Sequence, residues 1–271
     1  MTPRFAVTVS LVPEANGGPF IFWGDLDASC RRARDLGYDG IELFAPSPAA
    51  LGDDLARCLA RHGLKLAGAG TGAGWVLHKL SLTAPDREER LRAREFIRSI
   101  VDAAARHGAP AIIGSMQGRW GGAVTRDAAL GFLAEAVADL AAHAGRLGVA
   151  LLVEPLNRYE SNVLSTLGDG IKLLERVGDP HAGLLADAFH MNIEEQDLAG
   201  ALRAAGPRLR HVQLADSNRR PAGCGHTDFG AIVTALREIR YEGWVSAEAV
   251  PWPDPDAAAR RSIQTFRSLF P

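Results

Sequence analysis

The sequence predicts a single (β/α)8 barrel, α/β in class, and three observations carry that expectation. Short apolar runs alternate with longer helical patterns from end to end; eight such runs are present; and 271 residues is a length at which such barrels commonly fall. Strands alternating with helices indicate a parallel sheet. Eight units in this length favour closure over an open doubly wound sheet. No GxGxxG follows an early strand, which removes the main sign of the open alternative.

In chain order the candidate strands are FAVTVSLV (5–12), GIELF (40–44), KLAGAG (65–70), AIIGSM (111–116), ALLVEPL (150–156), AGLLADAF (182–189), LRHVQLAD (209–216) and WVSAEAV (244–250). Helical patterns occupy 86–107, 126–147, 166–177 and 229–239. Glycine closes several helices, in RDLGYDG, RHGLK, RHGAP and RLGVA, just past the helix end where the chain turns left-handed. No linker-like or low-complexity segment breaks the pattern, so one domain is expected over 1–271.

Composition narrows the function. Thirty lysines and arginines against 32 acids give a formal net charge of −2, whereas phosphate binding needs a strong basic surplus, so nucleic acid is not expected as the partner. A hydrophobic content of 47% is enough for a substantial core. Cys30, Cys58 and Cys224 form no paired spacing and no CxxC, which suggests a reducing compartment. The N-terminus lacks a long apolar h-region, and no uninterrupted apolar stretch approaches a membrane span. These readings place the protein in the cytoplasm with no membrane partner.

LLVEPLNRYE, at 151–160, raises the first question of chemistry. Three hydrophobic residues of a buried strand run into Glu154, and a carboxylate there is costly without a partner. Three later strands carry metal-competent residues in the same way, Asp187, Gln213 and Glu248, each roughly one βα unit after the last. In a barrel such positions converge at the C-terminal mouth. Three carboxylates converging in a low-dielectric cavity repel one another, and a divalent metal between them resolves the repulsion. Three carboxylates plus an amide oxygen make a hard, all-oxygen site, which favours Mn²⁺ or Mg²⁺ over Zn²⁺ and leaves Co²⁺ open. Taken singly, each acid also reads as a solvated strand-end residue or a helix-cap acceptor. Residues 211 and 213 share a strand face. His211 therefore also points inward, either as a hydrogen-bonded histidine of the barrel interior or as a ligand in place of Gln213.

EPLNRYE, DAFHMNIEE, HVQLADSNRRPAGCGHTDF and the terminal SAE resemble the xylose-isomerase-like TIM barrels, and within them the ketose 3-epimerase and sugar isomerase/epimerase group. The resemblance is densest from 151 to 250; the first half matches in architecture alone. It implies a metal-dependent enzyme in which Glu154, Asp187 and Glu248 hold the metal. Where the family often has the second histidine of an HxH strand, this chain has Gln213, as hydroxypyruvate isomerases also do. Glu160, His190 and Arg219 match positions that contact sugar oxygens, although His190 alone also reads as a cap or core histidine. The implied partner is a small-molecule sugar or sugar acid, and the implied assembly a homodimer or homotetramer.

Other residues are left with two readings each. Arg119, among glycines after the fourth strand, is placed to take a carboxylate or phosphate bidentately if it faces the pocket. Glu42 lies near a strand end and is expected to hydrogen-bond a ligand or a neighbouring side chain. Trp75 and Trp120 follow strands and suit either sugar stacking or loop packing. His226 suits either the site or a cap region.

The reaction that follows moves a proton at a carbon beside a carbonyl. Glu154 and Glu248 are the expected catalytic pair, one removing a proton from one face through a metal-stabilised enediolate and the other delivering a proton to the opposite face. Return to the same carbon is epimerisation of a ketose or keto sugar acid. Return to the neighbouring carbon is aldose–ketose isomerisation, including the hydroxypyruvate type, and loss of hydroxide gives an inosose-type dehydratase. Endonuclease IV shares the barrel but needs a histidine-rich trinuclear zinc site and a basic groove, which this chain's near-neutral charge and strand-end acids fit poorly. A catalytically dead sugar-binding module is the last alternative, and the presence of both Glu154 and Glu248 speaks against it.

Overall fold

The computed structural model describes residues 3–271. Its strands are β1 (Arg4–Ser10), β2 (Phe22–Trp23), β3 (Gly40–Phe44), β4 (Lys65–Gly70), β5 (Ala111–Ile113), β6 (Leu151–Val153), β7 (Ala182–Asp187), β8 (Leu209–Gln213) and β9 (Trp244–Ala247). All pairings are parallel. β1 and β3 to β9 follow one another around the barrel, and β1 pairs with β9 to close it, so the eight expected strands are the eight that form the wall. β9 occupies the outer edge of β1 from Arg4 to Val7, and the short β2, absent from the sequence reading, takes that edge over at Val9 and Ser10.

The surrounding helices are α1 (Leu26–Leu36), α2 (Asp53–His62), α3 (Ala73–His78), α4 (Arg87–Ala105), α5 (Arg126–Arg146), α6 (Leu167–Val177), α7 (Ala188–Glu194), α8 (Leu198–Ala205), α9 (Phe229–Glu238) and α10 (Pro255–Leu269). Their starts follow the chemistry of the first turn. Asp25, Asp86, Thr125, Asp197, Asp228 and Asp254 each cap a helix by accepting a backbone N–H, and Thr166 and Asp169 form a reciprocal capping box. Gly37, Gly63, Gly108 and Gly148 take φ of 86°, 64°, 66° and 73°, the left-handed turn expected of them.

Side-chain parity along the strands divides two cores. Ala111, Ile113, Leu151, Val153, Leu184 and Ala186 belong to the large core between sheet and helices. The residues between them, Ile112, Leu152 and Leu185, form a separate cluster inside the barrel, and Ala6, Ala67 and Trp244 form another. Outside, α10 seals β1: the ring of Phe5 lies 5.6 Å from Phe266 and 6.0 Å from Phe270. Among the described helices, α5 alone is long and apolar enough to cross a membrane by length and composition. Here its apolar positions, including Leu133, Val137 and Leu140, are buried in the core. Its Glu135 and Asp139 bridge to Arg94 and Arg98 of α4 at 2.8 and 2.6 Å.

Several strands end sooner than the sequence suggests. β5 stops at Ile113, β6 at Val153, β8 at Gln213 and β9 at Ala247. The apolar runs continue beyond those points because the loops that follow turn over the barrel mouth and stay buried, as Met116, Leu156 and Leu214 do. Apolarity therefore outlasts the ladder.

Phe266 is fully buried against β1. Phe266→Ala is expected to destabilise the fold by roughly 3–5 kcal/mol, the range for deleting a buried aromatic side chain, read as a lower urea midpoint at unchanged slope.

Candidate active site at the carboxyl ends of the strands

The parity that puts Leu152 and Leu185 inside the barrel puts Glu154 and Asp187 inside as well, two residues on. His211 and Gln213 point the same way, and so does Glu42, which lies between the outward Ile41 and Leu43. Asp187 and Gln213 are direct register partners of β7 and β8. Glu154 and Glu248 lie one residue beyond their strands, and the Glu154 N–H still donates to Ile113 O at 2.9 Å. Glu154, Gln213 and Glu248, with Glu160, His190 and Arg219, line one cavity of about 380 Å³ at the mouth, within the usual size of small-molecule sites; Asp187 lies buried beside it.

Charge is the dominant feature of that cavity. Arg219, held by a turn at φ 60° in which its N–H donates to Asp216 O, directs one guanidinium nitrogen to Asp187 and another to Glu248. Burial raises the Glu154 carboxyl well above its ordinary value, with Asp187 adding to the effect, and burial likewise raises Glu248. Asp187 goes the other way: burial pushes it up, but Arg219 and His190 outweigh that and hold it down. Burial lowers the His190 imidazole below its ordinary value, against the opposing pull of Asp187. Its Nδ1 accepts from the Asn157 side-chain amide at 2.7 Å and from the Asn157 backbone N–H at 3.3 Å, so the ring proton sits on Nε2. That nitrogen lies 3.5 Å from Glu154 and 3.7 Å from Asp187.

A metal's fit can be judged from these groups. One ligand atom each of Glu154, Asp187 and His190 lies within 4.8 Å of the others. Glu42 accepts from His211 Nε2 at 2.7 Å and from Gln213 Nε2 at 2.6 Å. With its nitrogen committed in this way, Gln213 is left with a buried Oε1 that no protein group meets. A buried amide oxygen without a partner, beside three carboxylates, suits a hard divalent cation.

The other named residues fall as follows. Glu160 lines the cavity rim and accepts from Asn157 Nδ2 at 3.1 Å. Glu42 bonds neighbouring side chains, and His211 is wholly buried on its carboxylate. Arg119 does not line the central cavity: it borders an adjoining one and reaches the carbonyls of Tyr159 and Arg158 at 3.3 and 3.4 Å. Trp75 borders both cavities. Trp120 bonds Asn162 O through its indole N–H, and His226 is exposed in the loop before the Asp228 cap.

Three contributors went unread in the sequence. Asn157 aligns His190 and Glu160 together; it stands inside EPLNRYE, where a buried amide beside a ligand was the available signal. Asp216 organises the 217–227 loop by accepting from Ser217, Gly223 and Thr227 N–H at 2.8, 2.9 and 3.0 Å. Phe20, its ring tilted against Phe44 with centroids 4.7 Å apart, lines one side of the cavity from a segment with no periodic pattern.

Comparison with known proteins agrees with this fold. The family described as xylose isomerase-like TIM barrel matches residues 30–269. L-ribulose 3-epimerase of Methylomonas sp. (strain DH-1) is 29% identical over 263 residues, covering 94% of this chain and 91% of the relative. 3-Dehydro-D-guloside 4-epimerase of Escherichia coli (strain K12) is 29% identical over 250 residues, covering 88% and 92%. The crystal structure of D-allulose 3-epimerase from Methylomonas sp. in complex with D-allulose superposes with a TM-score of 0.85 at 25% identity, covering 99% of this chain and 98% of that one.

Asp216 generates a pH-dependent expectation. Burial raises its carboxyl, but the backbone N–H groups of Thr227, Ser217 and Gly225 lower it further, so the net shift is downward. A depressed carboxylate stabilises the fold above its unfolded pKa of about 3.9, and that contribution is lost as pH falls through the folded value. Asp216→Asn is expected to cost roughly 1–3 kcal/mol at pH 7, with the gap to the parent narrowing below about pH 4 in urea unfolding.

Proposed function

The chain belongs to the xylose isomerase-like TIM-barrel family, and from that premise we propose that it is a divalent-metal-dependent epimerase of a ketose or keto sugar acid. The observation that carries the reading is the buried set of Glu154, Asp187, Glu248 and the partnerless Gln213 oxygen. These four would hold the cation, with Mn²⁺ the best match and Mg²⁺ or Co²⁺ alternatives. When bound, it polarises the substrate carbonyl and stabilises charge on its oxygen by several kcal/mol.

The chain's own groups supply the rest. Glu154 and Glu248 stand on the loops of β6 and β9, three strands apart around the mouth. Burial raises both, so each holds a proton more readily than a carboxyl in water does, which suits exchange with carbon. One removes the proton beside the carbonyl and the other returns a proton to the opposite face. His190, with its Nε2–H aimed at Glu154 and Asp187, and Glu160 at the rim offer a donor and an acceptor for sugar hydroxyls. Arg219 offers two donors at the same wall and balances Asp187 and Glu248. The two named relatives support this chemistry, since a 3-epimerase of a ketose and a 4-epimerase of a 3-dehydro sugar both invert a carbon next to a carbonyl.

Arg119, which would have favoured a sugar acid, borders the adjoining cavity instead, so a neutral ketose is the better occupant of the central one. Gln213 favours the isomerase as second reading, in which the proton returns to the neighbouring carbon; inosose dehydration is the third. Three free cysteines support the cytoplasm as location.

Isothermal titration of chelator-treated protein with Mn²⁺ is expected to give one site per chain, weakened by Asp187→Asn; no heat of binding sinks the proposal. Glu154→Gln and Glu248→Gln are each expected to lower kcat by about 10²–10⁴-fold, the usual contribution of a general acid or base. The assay is NMR of deuterium uptake from D₂O with ketohexoses, ketogluconates, hydroxypyruvate and inososes, which also separates the competing reactions.

A further inference from the structure

A second cavity of about 470 Å³ adjoins the central one. Trp75, Ser115 and Glu160 line both, so the two spaces share a wall where β4, β5 and β6 open into their loops. Tyr159, Arg119 and Glu89 line the outer cavity only. We propose that the outer cavity is a subsite for a second sugar unit, so that the substrate is a neutral glycoside whose ketone-bearing ring enters the carboxylate cavity. This deepens the epimerase reading and rests on it.

Aromatic surface is the first support. Trp75 is 41% exposed and Tyr159 77%, the latter the most exposed large hydrophobic residue described. Both border the outer cavity. Flat rings exposed at a cavity wall are suited to packing against the C–H face of a sugar.

Charge is the second. Arg119 spends its guanidinium on two loop carbonyls, Tyr159 O and Arg158 O, and so ties the β5 and β6 loops together. Glu89 and Glu160 are the carboxylates of the same lining, while Arg90 donates to the carbonyls of Ala84 and Pro85 in that wall and Lys79 Nζ lies 5.5 Å from the Trp75 ring. With charges of both signs around it the space marks no anion site, and sugar hydroxyls can donate to its carboxylates.

Continuity is the third. A central cavity of about 380 Å³ suits one sugar ring, and the next unit of a glycoside must leave through the wall that Trp75, Ser115 and Glu160 share. A free ketose would leave the outer aromatic rings without a role.

3-Ketoglucose and its α- and β-linked glucosides share the reacting ring and differ only in the second unit. With Mn²⁺-loaded protein and deuterium uptake as readout, one glucoside is expected to exceed free 3-ketoglucose in kcat/KM by at least about tenfold, the worth of one good stacking contact. Tyr159→Ala, remote from the carboxylates, is expected to remove most of that advantage while free 3-ketoglucose stays within about twofold, a change in uniform binding confined to one substrate. Equal kcat/KM for free and glycosylated forms overturns the subsite but leaves the epimerase reading standing, and so does an equal loss on both substrates in Tyr159→Ala. If no substrate exchanges deuterium, the epimerase reading fails. The subsite is then decided by tryptophan fluorescence titration with maltose, cellobiose and glucose: tighter disaccharide binding that Tyr159→Ala abolishes supports it, and equal binding overturns it.

Discussion

Three buried carboxylates gathered at the mouth of a barrel set the terms for everything around them. Water cannot screen Glu154, Asp187 and Glu248 there, so each must be neutralised, protonated or matched to a cation. Pairing with a cationic side chain and a drive towards protonation are both present. Arg219 faces Asp187 and Glu248, Asp187 stays ionised on the strength of that contact, and Glu154 and Glu248 are driven towards their protonated forms. Under the proposed chemistry the same conflict is useful, since a carboxyl raised above its ordinary value takes up a proton more readily than one in water.

Beneath this layer the barrel supplies rigidity. Ile112, Leu152, Leu185, Ala6, Ala67 and Trp244 fill the interior, and Glu42 joins His211 to Gln213 above them. That network does more than satisfy buried polar atoms. By engaging the Gln213 nitrogen, it fixes which end of the amide is left for a ligand. The Gln213 oxygen is left free because β3 places the Glu42 carboxylate on the nitrogen.

The loops divide the remaining labour. The Asp216 turn aims Arg219, Asn157 aligns His190 with Glu160, and Phe20 with Phe44 closes one side against water. Beside them the loops after β4, β5 and β6 open outwards to a second space bordered by Trp75 and Tyr159. Rigidity below and breadth above suit an enzyme that fixes the reacting carbon while accommodating what is attached to it.

Much of this was legible in the sequence, because the fold rests on local periodicities. Apolar runs of strand length, helix-closing glycines and the spacing of one polar residue per late strand required no knowledge of distant contacts. Glu154, Asp187, Gln213 and Glu248 could be placed at one mouth because parity and strand order alone fix that much. What the sequence could not settle depends on which loop meets which. Arg219 reaching two carboxylates, Glu42 orienting Gln213 across the barrel, Phe20 meeting Phe44, and Arg119 turning to the carbonyls of the neighbouring loop are contacts between segments far apart in the chain. No periodicity encodes them; only closure of the barrel brings them together.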